Sequence, residues 1–233
     1  MQSGWELGLL WYGVFVFSTV LHEAAHAWTA LKLGDDTAAR GGQVSLNPWP
    51  HIRREPFGMV IVPILSWVAG GWLLGWASAP FNPEWARRFP RHAALMALAG
   101  PAANLLLVIS AAWLIRIGVE WHWFEAPQSI SSSRLVVAAQ AGWPEFAATG
   151  LSVILSLNLL LFVFNLIPLP PLDGSNAPLL LLPPEAAARY AEFLQAPWLR
   201  LVGILVASRV LGPLFPSILR LVANLVHPLS HYS

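Results

Sequence analysis

Four long apolar stretches set the frame of this chain. Residues 8–31, 93–118, 149–167 and 198–226 are predominantly apolar, and a helix of about 20 such residues spans the hydrocarbon core of a bilayer. A fifth stretch, 57–77, is apolar but broken by Pro63 and Gly70-Gly71. It reads as one span or as a re-entrant hairpin. Between these runs the chain is polar and rich in turn residues. In 34–56, Gln43-Val44-Ser45-Leu46 alternates between Gly41-Gly42 and Asn47-Pro48, which predicts a short β element near 41–47. Residues 78–92 form a loop with Pro80, Pro83 and Pro90, and 119–148 form a polar segment with Glu120, Glu125 and Glu145. Gly212-Pro213 and Pro216 interrupt the last run, leaving either one kinked helix or two short ones.

The expected fold is an all-α polytopic membrane protein forming a single domain over 1–233. Its core has three spans, 8–31, 93–118 and 149–167, with the segment 57–77 as a hairpin. The catalytic core would be 8–175, followed by a C-terminal helical segment, 183–229, of one or two helices. Composition agrees. Of 233 residues, 56% are hydrophobic and 11% charged, and the mean hydropathy is +0.58, against about 25% charged in a soluble domain. There are no cysteines, which excludes disulfides and thiolate metal sites. The net charge is +1 without a basic run, so nucleic acid is not an expected partner. Several of the thirteen Trp residues, among them Trp5, Trp11, Trp121, Trp123 and Trp198, lie near the ends of apolar runs, where interfacial aromatics settle. No Lys or Arg precedes the first run, unlike a cleavable signal peptide.

The chemistry concentrates in the last third of the first span, Leu21-His22-Glu23-Ala24-Ala25-His26. Ionisable residues inside an apolar helix are costly and are functional candidates by default. Residues four apart share a helix face, so His22 and His26 can chelate one ion while Glu23 lies beside it, placed to take a proton from water. This is the HExxH arrangement of a zinc hydrolase. A catalytic zinc takes three protein ligands and keeps a fourth position open for water, whose pKa it lowers to about 7. The third ligand must be a His or carboxylate elsewhere at the same depth. Asp173 is the best candidate. It follows a span, it is the only acidic residue between Glu145 and Glu185, and the run Pro168, Pro170, Pro171 holds its segment out of helix. The competing reading of Asp173-Gly174 is a turn.

On these residues the chain resembles the site-2 protease family of intramembrane metalloproteases. His22-Glu23-Ala24-Ala25-His26, then Gly100-Pro101-Ala102-Ala103-Asn104, then Asn165 through Leu172-Asp173-Gly174 occur in the family's order. Leu46-Asn47-Pro48 with His51, and Gly75-Trp76-Ala77 before Asn82-Pro83, are similar to a compact bacterial-type subgroup without a PDZ domain. The resemblance implies one zinc on His22, His26 and Asp173, Glu23 as base, and transmembrane helices of other proteins as substrates, as in regulated intramembrane proteolysis. The chain departs from that pattern at 52–58, reading Ile52-Arg53-Arg54-Glu55-Pro56-Phe57-Gly58. Asn165 is a candidate for holding the scissile carbonyl or its oxyanion. Asn104 is a weaker catalytic candidate, with helix–helix hydrogen bonding as the alternative. His51 reads as an interfacial loop residue or an additional ligand. Gln43, Val44, Ser45 and Leu46 are candidates for binding an unwound substrate along a strand edge. A membrane metal or ion transporter, a non-peptidase hydrolase or a catalytically silent scaffold are the competing functions.

The metal site constrains topology. For His22, His26 and Asp173 to meet, the first span and 149–167 must run in the same direction. With 93–118 antiparallel to them, 57–77 cannot make one net crossing. Lys32, Arg40, Arg53, Arg54, Arg87, Arg88, Arg91, Arg189 and Arg200 then share one side, leaving mainly Arg134 opposite, with Arg116 near its boundary. The positive-inside rule makes the first side cytoplasmic. The expectation is a multi-pass protein of a bacterial-type cell membrane, with its N-terminus outside and its active site toward the cytoplasm. Arg209, inside the last run, has three readings: a helix end, a snorkelling side chain, or a partner for a carboxylate.

Overall fold

A computed structural model describes residues 4–230 and Tyr232. The protein is an all-α polytopic membrane protein. Its helices are α1 (Gly4–Lys32), α2 (Thr37–Arg40), α3 (Pro48–Arg54), α4 (Val62–Gly70), α5 (Pro83–Arg88), α6 (Pro90–Glu120), α7 (Trp143–Asn165), α8 (Pro184–Phe193) and α9 (Pro197–Val226). Among the described residues, α1, α6, α7 and α9 are long and apolar enough to cross a membrane. The last run is therefore one helix, continuous through Pro213 and Pro216. The expected C-terminal helical segment thus holds two helices, α8 and α9.

The chain divides into two compact units. One is drawn from Met1–Ala103 and Val163–Ala207, the other from Asn104–Phe162 and Ser208–Ser233.

In the first unit, polar side chains fix the short helices around α1. Asn47 accepts a hydrogen bond from the Trp49 amide and Asn82 from the Glu84 amide, each followed by Pro at the first helical position; this is the preferred chemistry of a helix start. Asp35, just past α1, accepts from the Thr37 and Asn82 amides at 3.0 and 2.8 Å. Burial would push its carboxyl up, but these bonds and the Thr37 hydroxyl outweigh it and hold it below the usual range. Ala30, Trp85, Ala93 and Met96 form one apolar cluster. Ala94, Leu179 and Ala187 form another.

The segment 57–77 is a hairpin. A π-helical turn (Phe57–Ile61) leads into α4, which ends at Gly71 in the left-handed conformation, φ 67°, where glycine carries no Cβ penalty. The chain then returns without regular structure. Trp76 N–H donates to the Gly58 carbonyl at 3.1 Å, and the Ser78 hydroxyl donates to Glu55 and accepts from Arg54. The segment ends beside its own start, as the parity argument requires. The divergent stretch Glu55-Pro56-Phe57-Gly58 thus clamps the hairpin base. Its apolar side chains face outward, Val68 being 79% exposed.

The β element expected near 41–47 is not formed; those residues are bends and turns. Their polar groups have other partners. Gln43 is buried and donates to the Ser78 carbonyl, Ser45 Oγ accepts from Asn47 N–H, and the Ser45 carbonyl accepts from the ring of His51. The Gln43 N–H also donates to the Ala38 carbonyl at 3.0 Å, so the backbone groups of Gln43, Ser45 and Asn47 that a ladder would use are already paired. The described β structure lies instead in the second unit, where β1 (Phe124–Glu125) pairs antiparallel with β2 (Val137–Ala138).

The second unit packs Ile115, Leu135 and Val153 at its centre. Its polar groups pair internally. Ser152 Oγ accepts from the Leu135 amide at 3.0 Å and donates to the Ala148 carbonyl at 2.7 Å. His227 donates to the Leu135 carbonyl at 2.8 Å, and Arg116 to the Leu225 carbonyl at 3.3 Å.

Candidate metal centre

His22, Glu23 and His26 are buried in the second half of α1, and one ligand-type atom from each lies within 4.8 Å of the others. The two histidines present Nε2 to each other at 2.9 Å. Asp173 enters from the far end of the sequence. Its Oδ2 is 3.1 Å from His22 Nε2 and 3.5 Å from His26 Nε2. Three ligand-type atoms therefore surround one point.

That arrangement fits zinc. Bonds of about 2.0–2.1 Å to a tetrahedral ion put ligand atoms about 3.3 Å apart, and the three separations bracket this value. The tautomer of His26 fits as well. Its Nδ1 is 2.7 Å from the Met96 carbonyl, which can only accept, so Nδ1 carries the proton and Nε2 offers its lone pair to the ion. A ligand histidine fixed through its other nitrogen is the usual outer support of a zinc site.

Two glycines outside the predicted ligand set shape this point. A Cβ on Gly100 would lie 2.4 Å from Nε2 of both His22 and His26. Only glycine lets α6 approach the ligand nitrogens so closely. A Cβ on Gly203 of α9 would lie 1.7 Å from the Pro170 carbonyl oxygen, so α9 presses directly on the proline loop before Asp173. Gly100 stands in the Gly100–Asn104 motif read from the sequence; Gly203 carried no local signal.

The segment holding Asp173 is tightly turned. Leu172 N–H donates to the Leu169 carbonyl and Ser175 N–H to the Leu172 carbonyl. Asp173 opens a 3-10 helix, Asp173–Leu180, which Tyr190 of α8 ties down through the Ser175 carbonyl at 2.9 Å. A Cβ on Gly174 would meet the Leu166 carbonyl oxygen at 2.3 Å. Asp173-Gly174 is thus a turn as well as a ligand-type position.

Asn165 is half-buried at the end of α7. Asn104, fully buried in the second unit, donates through Nδ2 to Asn158 Oδ1 at 2.8 Å, and Asn158 Nδ2 donates to the Ile154 carbonyl. His51 is fully buried with Nε2 on the Ser45 carbonyl. Leu46 is 60% exposed.

Comparison with known proteins bears on this site. Over 178 residues, 76% of this chain and 71% of the relative, the sequence is 33% identical to the "Putative zinc metalloprotease YwhC" of Bacillus subtilis. It is 27% identical to the "Putative zinc metalloprotease Rip2" of Mycolicibacterium smegmatis and 30% identical to that of Mycobacterium tuberculosis, covering 72% of this chain each time. The chain spans 58% of the length of those Rip2 relatives. An 85-residue stretch, 34% identical to a Sinorhizobium adenosylcobinamide-GDP ribazoletransferase, covers 31% of that protein and is too short to bear on the family. No protein-family model matches the chain, and no solved structure does. With an HExxH helix, a facing carboxylate and this likeness over three quarters of its length, the chain belongs to the site-2 protease family, the family of YwhC and Rip2.

Proposed function

We propose that this protein is a zinc-dependent endopeptidase that cleaves membrane-spanning helices of other proteins within or beside the bilayer. The observation that carries the reading is the meeting of His22 Nε2, His26 Nε2 and Asp173 Oδ2 at 2.9–3.5 Å, with both histidines on a helix apolar enough to cross a membrane. These three residues hold the ion, and Glu23 acts beside it. When bound, zinc supplies Lewis acidity, polarising a carbonyl and acidifying water. The Glu23 carboxylate, buried beside both ligand nitrogens, accepts the proton of the attacking water and returns it to the leaving amine. Gly100 leaves room for the ligand pair to close on one point, and the Met96 carbonyl holds His26 in its ligating tautomer.

Asn165, near Asp173 in the chain and half-buried, is assigned to positioning the substrate carbonyl. Asn104 is assigned a packing role, since its amide donates to Asn158. Docking of substrate along Gln43–Leu46 loses its basis without a strand there. The basic residues around α1, α3 and α5 orient the active site toward the cytoplasmic face by the positive-inside rule.

The test uses the purified, full-length protein. Bound zinc is measured, and wild type and Glu23→Gln are compared on a panel of transmembrane-helix substrates. The expected result is cleavage by wild type, at least about a hundredfold slower in Glu23→Gln, with bound zinc unchanged. Zinc uptake into vesicles without cleavage in either form would point to a transporter and sink the proposal.

A further inference from the structure

Arg209 sits where an arginine is least expected. Helix α9 buries Gly203, Ala207, Leu211, Leu219 and Ala223 along one stripe. At 100° per residue, Arg209 projects about 160° away from Ala207 and Leu211. It is exposed, and so are Val202, Leu205, Val206, Pro213 and Pro216, which share its face. From Val202 to Pro216 that face is apolar but for the one guanidinium; Arg220 comes round to the same face only at the far end of the helix.

Its depth follows from the same helix. Arg200 and Arg220 stand about 30 Å apart along α9, matching a hydrocarbon core of about 30 Å. Arg209 is then about 13 Å from one boundary and about 16 Å from the other, further than an extended arginine side chain can snorkel. The backbone adds polarity. Pro213 has no N–H for the Arg209 carbonyl, and Pro216 none for that of Gly212. A Cβ on Gly212 would meet nothing within 4 Å, so a neighbouring backbone can come close here.

We infer that Arg209 is a docking point, at mid-membrane, for a transmembrane helix of another protein that carries an aspartate or glutamate near its middle. A charged group at that depth needs a partner, and a carboxylate matches it in sign and takes two parallel hydrogen bonds from a guanidinium. None of the four spans, in a second copy, supplies one at that depth. The acidic residues of the four spans are Glu6, Glu23, Glu120 and Glu145. Glu23 is buried at the metal centre, and the other three lie within the first or last turn of their helices. The inference stands apart from the proteolytic reading, because it needs neither zinc nor cleavage.

The test reconstitutes the full-length protein in phosphatidylcholine vesicles, and separately in vesicles containing phosphatidylglycerol. Association with labelled poly-leucine transmembrane helices bearing Asp, Asn or Leu at the centre is followed by energy transfer. The Asp helix should bind about tenfold or more tighter than the Leu helix, and tighter than the Asn helix. Arg209→Gln should abolish the preference, Arg209→Lys should keep part of it, and both variants should retain wild-type helix content and bound zinc. Equal binding of Asp and Asn helices, or a preference that persists in Arg209→Gln, overturns the inference. So does the absence of an Asp preference in both lipids, the result expected if Arg209 serves lipid phosphate.

Discussion

The metal centre of the first unit and the core of the second use buried polar groups in opposite ways. In the first, His22, His26 and Asp173 bring three ligand-type atoms within 2.9–3.5 Å of one another, an arrangement that suits a shared cation. In the second, every named group meets its complement: Asn104 donates to Asn158, Ser152 accepts from Leu135, and His227 donates to a carbonyl. All of these residues lie in or beside apolar helices, and burial alone does not separate them. The sign of the facing atoms does. Complementary atoms hold helices together; like atoms around one point bind something from outside.

The comparison can be broken most severely at Gly100. Gly100→Ala puts a methyl 2.4 Å from both ligand nitrogens. Zinc affinity, read by chelator competition, should fall about a hundredfold, while helix content and melting stay near wild type. Unchanged affinity would mean that the three atoms are not the ion's shell. Next comes Asn158→Leu, which removes the acceptor of the buried Asn104 amide. It should cost about 1 kcal/mol of stability with no change in zinc. The double variant Asn104→Leu with Asn158→Leu should recover part of that loss, because no amide is then left unpaired. Loss of zinc in either variant would move Asn104 back toward catalysis.

The smallest effect is one of pH. Burial, with Arg116 nearby, holds His227 below its usual pKa against the pull of its hydrogen bond to Leu135. A depressed histidine contributes fully above the unfolded value of about 6.5, and its contribution is lost as pH falls through the folded value. Melting between about pH 7.5 and about pH 5.5 should therefore show a stability loss below about 1.4 kcal/mol per pH unit. His227→Gln should flatten it. A slope unchanged by that substitution would assign the effect to another group.

Much of the site was legible in the sequence. Helical spacing alone puts His22 and His26 on one face and Glu23 beside them, while Asp173 was legible mainly through the resemblance of Asn165–Gly174 to the family's motif. The membrane spans were legible because a run of apolar residues has no other stable exposure. The hairpin at 57–77 followed from parity, a global constraint that no local pattern encodes. The strand near 41–47 was misread because alternation is a weak signal over four residues. There, the Gln43 backbone N–H bonds back to the Ala38 carbonyl and the His51 ring takes the Ser45 carbonyl, backbone groups that a ladder would have used.

By itself, the sequence determined the ligand types on the first helix, their spacing and the membrane environment, because these depend on local periodicity and composition. Tertiary structure decided what depends on approach between distant segments. It set Asp173 against the histidines, brought Gly100 and Gly203 so close to their neighbours that no side chain fits, and paired Asn104 with Asn158. It also turned Arg209 outward. Helix periodicity can place a residue on a face, but only packing decides whether that face meets protein or lipid.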